Sequence, residues 1–276
     1  MNRCKGFSLA ELAVVMLIVS LLLAGALIPF STQIDLKNIA DTQRTMESIK
    51  EAIIGFAQAN GRLPCPADGT LATGAANAGT EMLTPAPPAV NQCTTTAGVI
   101  PWAALGVPET DGWGRRFSYY VVQEFADHTG KLTWSTVGPP AQPPPVCTPA
   151  PVPGAPASFA LCTLGNLTVN TRNESSHAAT AIGSALPAVF ISHGKNGFGA
   201  YTTTGGLIAG LTAGTDEAAN ASHLPATIVF YSRSPTSSAS GCNDTAAGPF
   251  CEFDDLVTMI TSNVLIARMV SAGRLP

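Results

Sequence analysis

Charge is scarce in this chain. Lys and Arg number 14 and Asp and Glu 18, so 12% of the 276 residues are charged, well under the quarter usual in soluble domains. The net charge of −4 supplies no basic face for phosphate backbones, so nucleic acid is not the expected partner. Gly and Pro are plentiful but do not repeat with a three-residue period, which excludes collagen. No repeat of solenoid length is present. Enzyme signatures are missing as well. His128, His177, His193 and His223 are scattered with no HExxH spacing, and no CxxC occurs, which removes the common zinc patterns. The glycines at 194, 197 and 199 lack the Lys-Ser/Thr of a phosphate loop. A Ser-His-Asp set can be assembled on paper from any chain this long and carries no weight. The aromatics Trp102, Trp113, Phe117, Tyr119 and Tyr120 read as core. The chain is not expected to be an enzyme.

What is present begins at the N-terminus. Residues 1–6 read MNRCKG, and from Leu12 to Phe30 no side chain is charged. Those 19 residues make about 28 Å of helix, enough to cross the hydrocarbon of a bilayer. Arg3 and Lys5 precede the run, and Asp35, Lys37 and Asp41 follow it. The positive-inside rule then holds the N-terminus in the cytoplasm. Ala24-Gly25-Ala26 also offers a small-x-small cleavage site, so an ordinary secretory signal or a plain signal anchor stays open. Glu11 separates these readings. A carboxylate near the bilayer interior is costly, about 2.5–3.5 kcal/mol on insertion scales, and demands a partner. Its neighbours on the helix face, Ser8 and Val15, are not cations. A free amine on Phe7, made by cleavage after Gly6, would serve from a neighbouring copy.

Lys5-Gly6-Phe7-Ser8-Leu9-Ala10-Glu11 resembles the cleavage and methylation motif of type IV pilins and type II secretion pseudopilins. The resemblance implies that a prepilin peptidase cuts after Gly6 and methylates Phe7, and that Phe7 and Glu11 act in assembly. Pro29 resembles the family's proline late in the membrane helix, one position later than usual. Further on, Asp111-Gly112-Trp113-Gly114 looks like the Asp-x-Trp-Gly turn of pseudopilin heads. Ser192-His193-Gly194-Lys195-Asn196-Gly197 looks like their Ser-x-Gly-x-Asp/Asn-Gly loop, and Phe253-Asp254-Asp255-Leu256-Val257 like the acidic start of a late strand. The likeness is strong over the first 25 or so residues and weaker across the head.

Beyond Pro29, which can kink or interrupt a helix, Ile39, Met46 and Ile53 recur at sevens with Ile49 and Phe56 between them. This is a helical stripe, expected to pack on the chain's own head rather than in a coiled coil. Asn60-Gly61 reads as the C-cap. Residues 64–100 and 138–160 read as long loops. Strands are expected at 117–125, 132–137, 167–171, 188–192, 227–232 and 256–260, and a short helix from Ser262 or Asn263 to Val270. The expected fold is α+β: leader 1–6, a long helix 7–60 whose membrane half covers about 9–30, and a head 61–276 with an antiparallel sheet under the helix.

With the leader gone six cysteines remain, Cys65, Cys93, Cys147, Cys162, Cys242 and Cys251. An even count outside the cytosol reads as disulfides. Of the 15 possible pairings, neighbour pairing is the expectation. Asn196, Asp216, Glu217, Asn220, Asp254 and Asp255 are the oxygens that could hold calcium, raised because major pseudopilins carry one in a comparable region. No dense acidic loop spacing is present, and the favoured reading is turns and loop closure by hydrogen bonds. No cofactor is required. The expected role is a minor or tip-located subunit of a pilus or pseudopilus, in the bacterial inner membrane with the head in the periplasm and later in the filament. Its partners would be the prepilin peptidase, other pilin or pseudopilin subunits, the inner-membrane assembly machinery and the lipid bilayer. The other reading is a signal-anchored periplasmic protein whose head binds a ligand.

Overall fold

The structure is a computed structural model that describes residues 8–86, 90–127, 131–132, 150–151, 157–210, 214–222, 224–226 and 228–275. Side chains are described for fewer positions, residues 22–32 and 85–91 among the exceptions.

Helix α1 spans Leu9–Asn60, 52 residues, about 78 Å at the usual rise. Ser8 caps its start, and Gly61 at φ 75° closes its end by donating its N–H to the Ala57 carbonyl, the role the Asn60-Gly61 pair predicts. The helix continues through Pro29 without interruption. Its C-terminal half buries Met46, Ile49, Ile53, Ile54 and Ala57. Ile39 and Phe56 of the predicted stripe are only half-buried. The stripe meets the head's own core, including Phe117, Tyr119, Phe190 and Ile191, as the sequence pattern predicts.

The remaining elements follow in order: β1 Leu83–Ala86, β2 Val90–Cys93, β3 Ala97–Val99, α2 Trp102–Leu105, β4 Ser118–Val121, α3 Gln123–Ala126, β5 Lys131–Leu132, β6 Ala150–Pro151, β7 Leu167–Arg172, β8 Ala179–Leu186, β9 Ala188–Ser192, α4 Thr215–Asn220, β10 Val229–Tyr231, β11 Leu256–Ile260 and α5 Ser262–Ser271. The central sheet runs β11-β9-β4-β3 and is antiparallel throughout. β9 is buried at every position, which suits its unbroken Ala-Val-Phe-Ile run. A second sheet runs β10-β7-β8.

Several expectations need correction. The second sheet is mixed, because β10 pairs with β7 in parallel. The 117–125 run is not one strand: β4 ends at Val121 and α3 follows, so Phe125 enters the core from a helix. The stretch 64–100 holds the hairpin β1-β2 and strand β3. The cap of α5 is Thr261, and it makes no side-chain cap bond. Of the 132–137 run only Leu132 lies within the described residues, and most of 138–160 lies outside them. β8 has no counterpart in the sequence reading.

Cys65 bonds Cys93 and Cys242 bonds Cys251, two of the neighbour pairs. Cys162 is disulfide-bonded too; Cys147, its expected partner, lies outside the described residues.

Candidate functional site

Ser8, Leu9, Ala10 and Glu11 spell Ser-x-x-Glu, the capping-box pattern. The Ser8 hydroxyl accepts from the Glu11 N–H at 3.2 Å. Glu11 Oε2 in turn accepts from the Ser8 N–H at 2.8 Å and from its hydroxyl at 2.9 Å. Glu11 therefore has a neutral partner on its own turn, one that the sequence reading missed although the Ser-x-x-Glu spacing encodes it. The carboxylate also sits at the helix N-terminus, where the macrodipole favours negative charge. Gly6 and Phe7 lie outside the described residues.

From Leu9 to Leu21 the large apolar side chains are exposed, among them Leu12, Val15, Ile18 and Leu21. They cover every side of the helix, and nothing in the described chain packs on them. A helix apolar all round belongs in a core or a membrane. Among the described residues no helix is long and apolar enough to cross a membrane. The side chains of residues 22–30, where the uncharged run continues, are not among them.

Residues 1–27 match the family model of the prokaryotic N-terminal methylation motif. The chain carries the signature of type IV pilins and pseudopilins. No curated protein and no solved structure matches it. The methylation motif implies processing by a prepilin peptidase and assembly with other pilin subunits. It covers a tenth of the chain, so the head must be read from its own geometry.

The three head segments 111–114, 192–197 and 253–257 come together beside α1. Asp111 Oδ1 accepts from the N–H groups of Trp113 and Arg115 at 2.9 and 3.0 Å, and Oδ2 accepts from the Ser192 hydroxyl at 2.7 Å. One carboxylate thus closes the turn and ties it to β9. Gly112 donates its N–H to Thr42 Oγ1 of α1 at 2.9 Å. A Cβ on Gly112 would lie 2.7 Å from the Asn38 carbonyl oxygen, so only glycine lets this turn lie on the helix backbone. Lys195 reaches Asp35 of α1 at 2.7 Å. The same loop donates the Asn196 N–H to Asp254 Oδ2 at 2.7 Å and offers the Gly194 carbonyl to Arg115 at 2.5 Å. A Cβ on Gly194, at φ 54°, would fall 2.3 Å from the Asp254 carbonyl oxygen.

Behind this joint stands an acidic cluster. Glu217, Asp254 and Asp255 each bring a carboxylate oxygen to within 4.8 Å of the others. Asp254 Oδ1 is buried with no hydrogen-bond partner. Burial pushes the Asp254 carboxyl up to about 6, against the opposing pull of the Asn196 N–H, and the charges of Asp255 and Glu252 add to the rise. Three carboxylate oxygens with one unspent suit a hard cation.

The rest of the predicted ligand set behaves differently. Asn196 and Asn220 are donors here: Asn196 Nδ2 gives to Glu217 at 2.9 Å and Asn220 Nδ2 to Asp255 at 2.8 Å. Asp216 stands apart, clasped by Arg172 at 2.7 Å and Arg233 at 3.0 Å. The two arginines spend its oxygens, so it is a structural anchor between α4, β7 and the segment after β10.

Asp255 takes part in one more constellation. Ser118 Oγ lies 2.7 Å from His193 Nε2, and His193 Nδ1 lies 3.6 Å from Asp255 Oδ1. The order is that of a hydrolytic triad. Yet Ser118 and His193 are 0% exposed and Asp255 4%, so no substrate carbonyl can approach the hydroxyl. The trio holds β4, the loop after β9 and the entry to β11 together.

Proposed function

We propose that this chain is a structural subunit of a type IV pilus or a type II secretion pseudopilus, in a minor or tip position, and not an enzyme. The observation that carries the reading is the methylation motif followed directly by a helix whose exposed apolar residues lack partners among the described residues. The prepilin peptidase cuts after Gly6 and methylates Phe7. The N-terminus then lies in the cytoplasm, the uncharged helix in the inner membrane and the head in the periplasm. The assembly machinery lifts the subunit into the filament, where neighbouring helices replace lipid at little hydrophobic cost. Glu11 exchanges its own Ser8 for the new amine of a neighbouring subunit. The large head, with Pro139-Pro140 and Pro143-Pro144-Pro145 in its 138–160 stretch, supports a tip position, because a tip subunit is spared some lateral contacts.

Assembly needs no cofactor in this reading. Calcium is proposed as the cation that Glu217, Asp254 and Asp255 would take, with the unspent Asp254 Oδ1 in support.

Intact-mass and N-terminal analysis of the protein from its native host tests the main claim. A chain beginning at N-methylated Phe7 and recovered in sheared filaments is expected. A start at Met1 or near Ser31 would overturn the proposal and leave a signal-anchored periplasmic protein.

A further inference from the structure

The central sheet ends at β11, which pairs with β9 on one side. Its other side opens, among the described residues, on a groove of about 990 Å³. Ile39, Gln43 and Met46 of α1 form one wall, and Leu256, Val257 and Thr258 of β11 the other. The volume is at the upper end of what ligand sites enclose. An uncovered strand edge presents unpaired N–H and C=O groups, which natural proteins cover or blunt. β11, Leu-Val-Thr-Met-Ile, has no charge, proline or glycine to blunt it.

Two further observations say what fits. Trp113 lines the groove, and its Nε1–H is buried with no acceptor. That N–H is sealed from the solvent of the groove, so Trp113 contributes apolar surface to the lining rather than a donor. The charge of the groove is one-sided. Glu47, Glu252, Asp254 and Asp255 line it against two cations. Both cations are already engaged, Lys195 with Asp35 and Arg233 with Asp216 and Asp244; of the acids, Glu47 pairs with Lys50 at 3.5 Å and Asp255 is buried, which leaves Glu252 and the half-buried Asp254 as the carboxylates facing an incoming cation.

We infer that this groove is a docking site for an extended, lysine- or arginine-bearing segment of another polypeptide, which adds to the free edge of β11. Main-chain bonds to β11 supply the common grip, as in other cases of strand addition. Alternate side chains of the incoming segment meet the apolar wall of α1. Its basic residues meet the carboxylates, which discriminates against acidic partners. The inference stands apart from the filament reading and survives or fails without it.

The test uses the full-length protein in detergent micelles with EDTA present. The probes are a synthetic hexapeptide of alternating Val and Lys and its Val–Glu counterpart. Binding of the Lys peptide is expected to slow hydrogen exchange at Leu256, Val257 and Thr258, with affinity at least about tenfold above that of the Glu peptide. The double variant Glu47→Lys, Glu252→Lys reverses two charges of the lining and is expected to reverse the preference. Unchanged exchange at β11, or equal binding of the two peptides, would overturn the inference. So would β11 protection that grows with protein concentration in the absence of peptide, which would give the edge to a second copy.

Discussion

At Glu11 two roles can be separated by substitution. Ser8→Ala removes the hydroxyl of the capping box but leaves the carboxylate, while Glu11→Ala removes both the cap and the charge. Loss of an N-cap side chain costs about 0.5–2 kcal/mol of local helix stability, far from the head core. Ser8→Ala is therefore expected to enter filaments. Glu11→Ala is expected to be cleaved normally, to keep the head's melting temperature and to be absent from sheared filaments. Normal incorporation of Glu11→Ala would refute the assembly role given to this side chain.

Asp254 makes a second prediction at the residue scale. Its carboxyl is raised above the ordinary value of 3.8 to about 6, so the folded state holds a proton that the unfolded state has released. A group of this kind favours folding at low pH, and its contribution is lost as pH rises from about 4 through 6. The stability of the wild-type head relative to Asp254→Asn should therefore increase between pH 7 and pH 5 in EDTA, as read by chemical denaturation. Calcium binding would need the ionised carboxylate. Any calcium-induced rise in melting temperature should then fade below pH 6 and be absent in Asp254→Asn.

At the scale of elements, the joint between head and helix depends on close backbone approach. Gly112→Ala places a Cβ within 2.7 Å of Asn38 O and 2.9 Å of its Cα, both backbone atoms that cannot swing aside. A cost of about 1–3 kcal/mol is expected from the forced shift, measured by urea unfolding of the head. Thr42→Ala should cost less, because Gly112 then loses one hydrogen bond without a collision. The disulfides act on other elements. Cys65–Cys93 spans 28 residues and Cys242–Cys251 spans 9. Chain entropy predicts about 3–4 kcal/mol for the first and about 2–3 kcal/mol for the second. Paired Cys→Ser variants should therefore rank in that order in unfolding midpoint.

The described residues divide into a helix end whose apolar side chains are exposed and a head built around a buried core. The exposed apolar residues from Leu9 to Leu21 have no partner in the described chain, whereas the stripe from Met46 to Ala57 is buried in the head. One helix thus carries two environments. The segments 111–114, 192–197 and 253–257 hold the second environment in place, through Thr42, Asp35 and the acidic cluster.

Which parts were legible follows from the range of the physics. The motif around Gly6, Phe7 and Glu11, the uncharged run, the helix stop at Gly61, and strands β9 and β11 are properties of a few neighbouring residues, and local chemistry determined them. β8 was missed because Ala-Thr-Ala-Ile-Gly-Ser-Ala-Leu is mostly small residues and carries little strand signal of its own; pairing with β7 makes it a strand. The parallel partner of β7 comes from about 60 residues further along, beyond any local pattern. Glu217 meets Asp254 and Asp255, Asp216 is withdrawn by two arginines, and Ser118 is sealed beside His193. Each of these depends on strands distant in sequence lying side by side, and burial then decides which carboxylates stay unspent. Composition and spacing determined that this chain begins as a pilin does. Only tertiary packing decided which of its polar groups remain available to anything else.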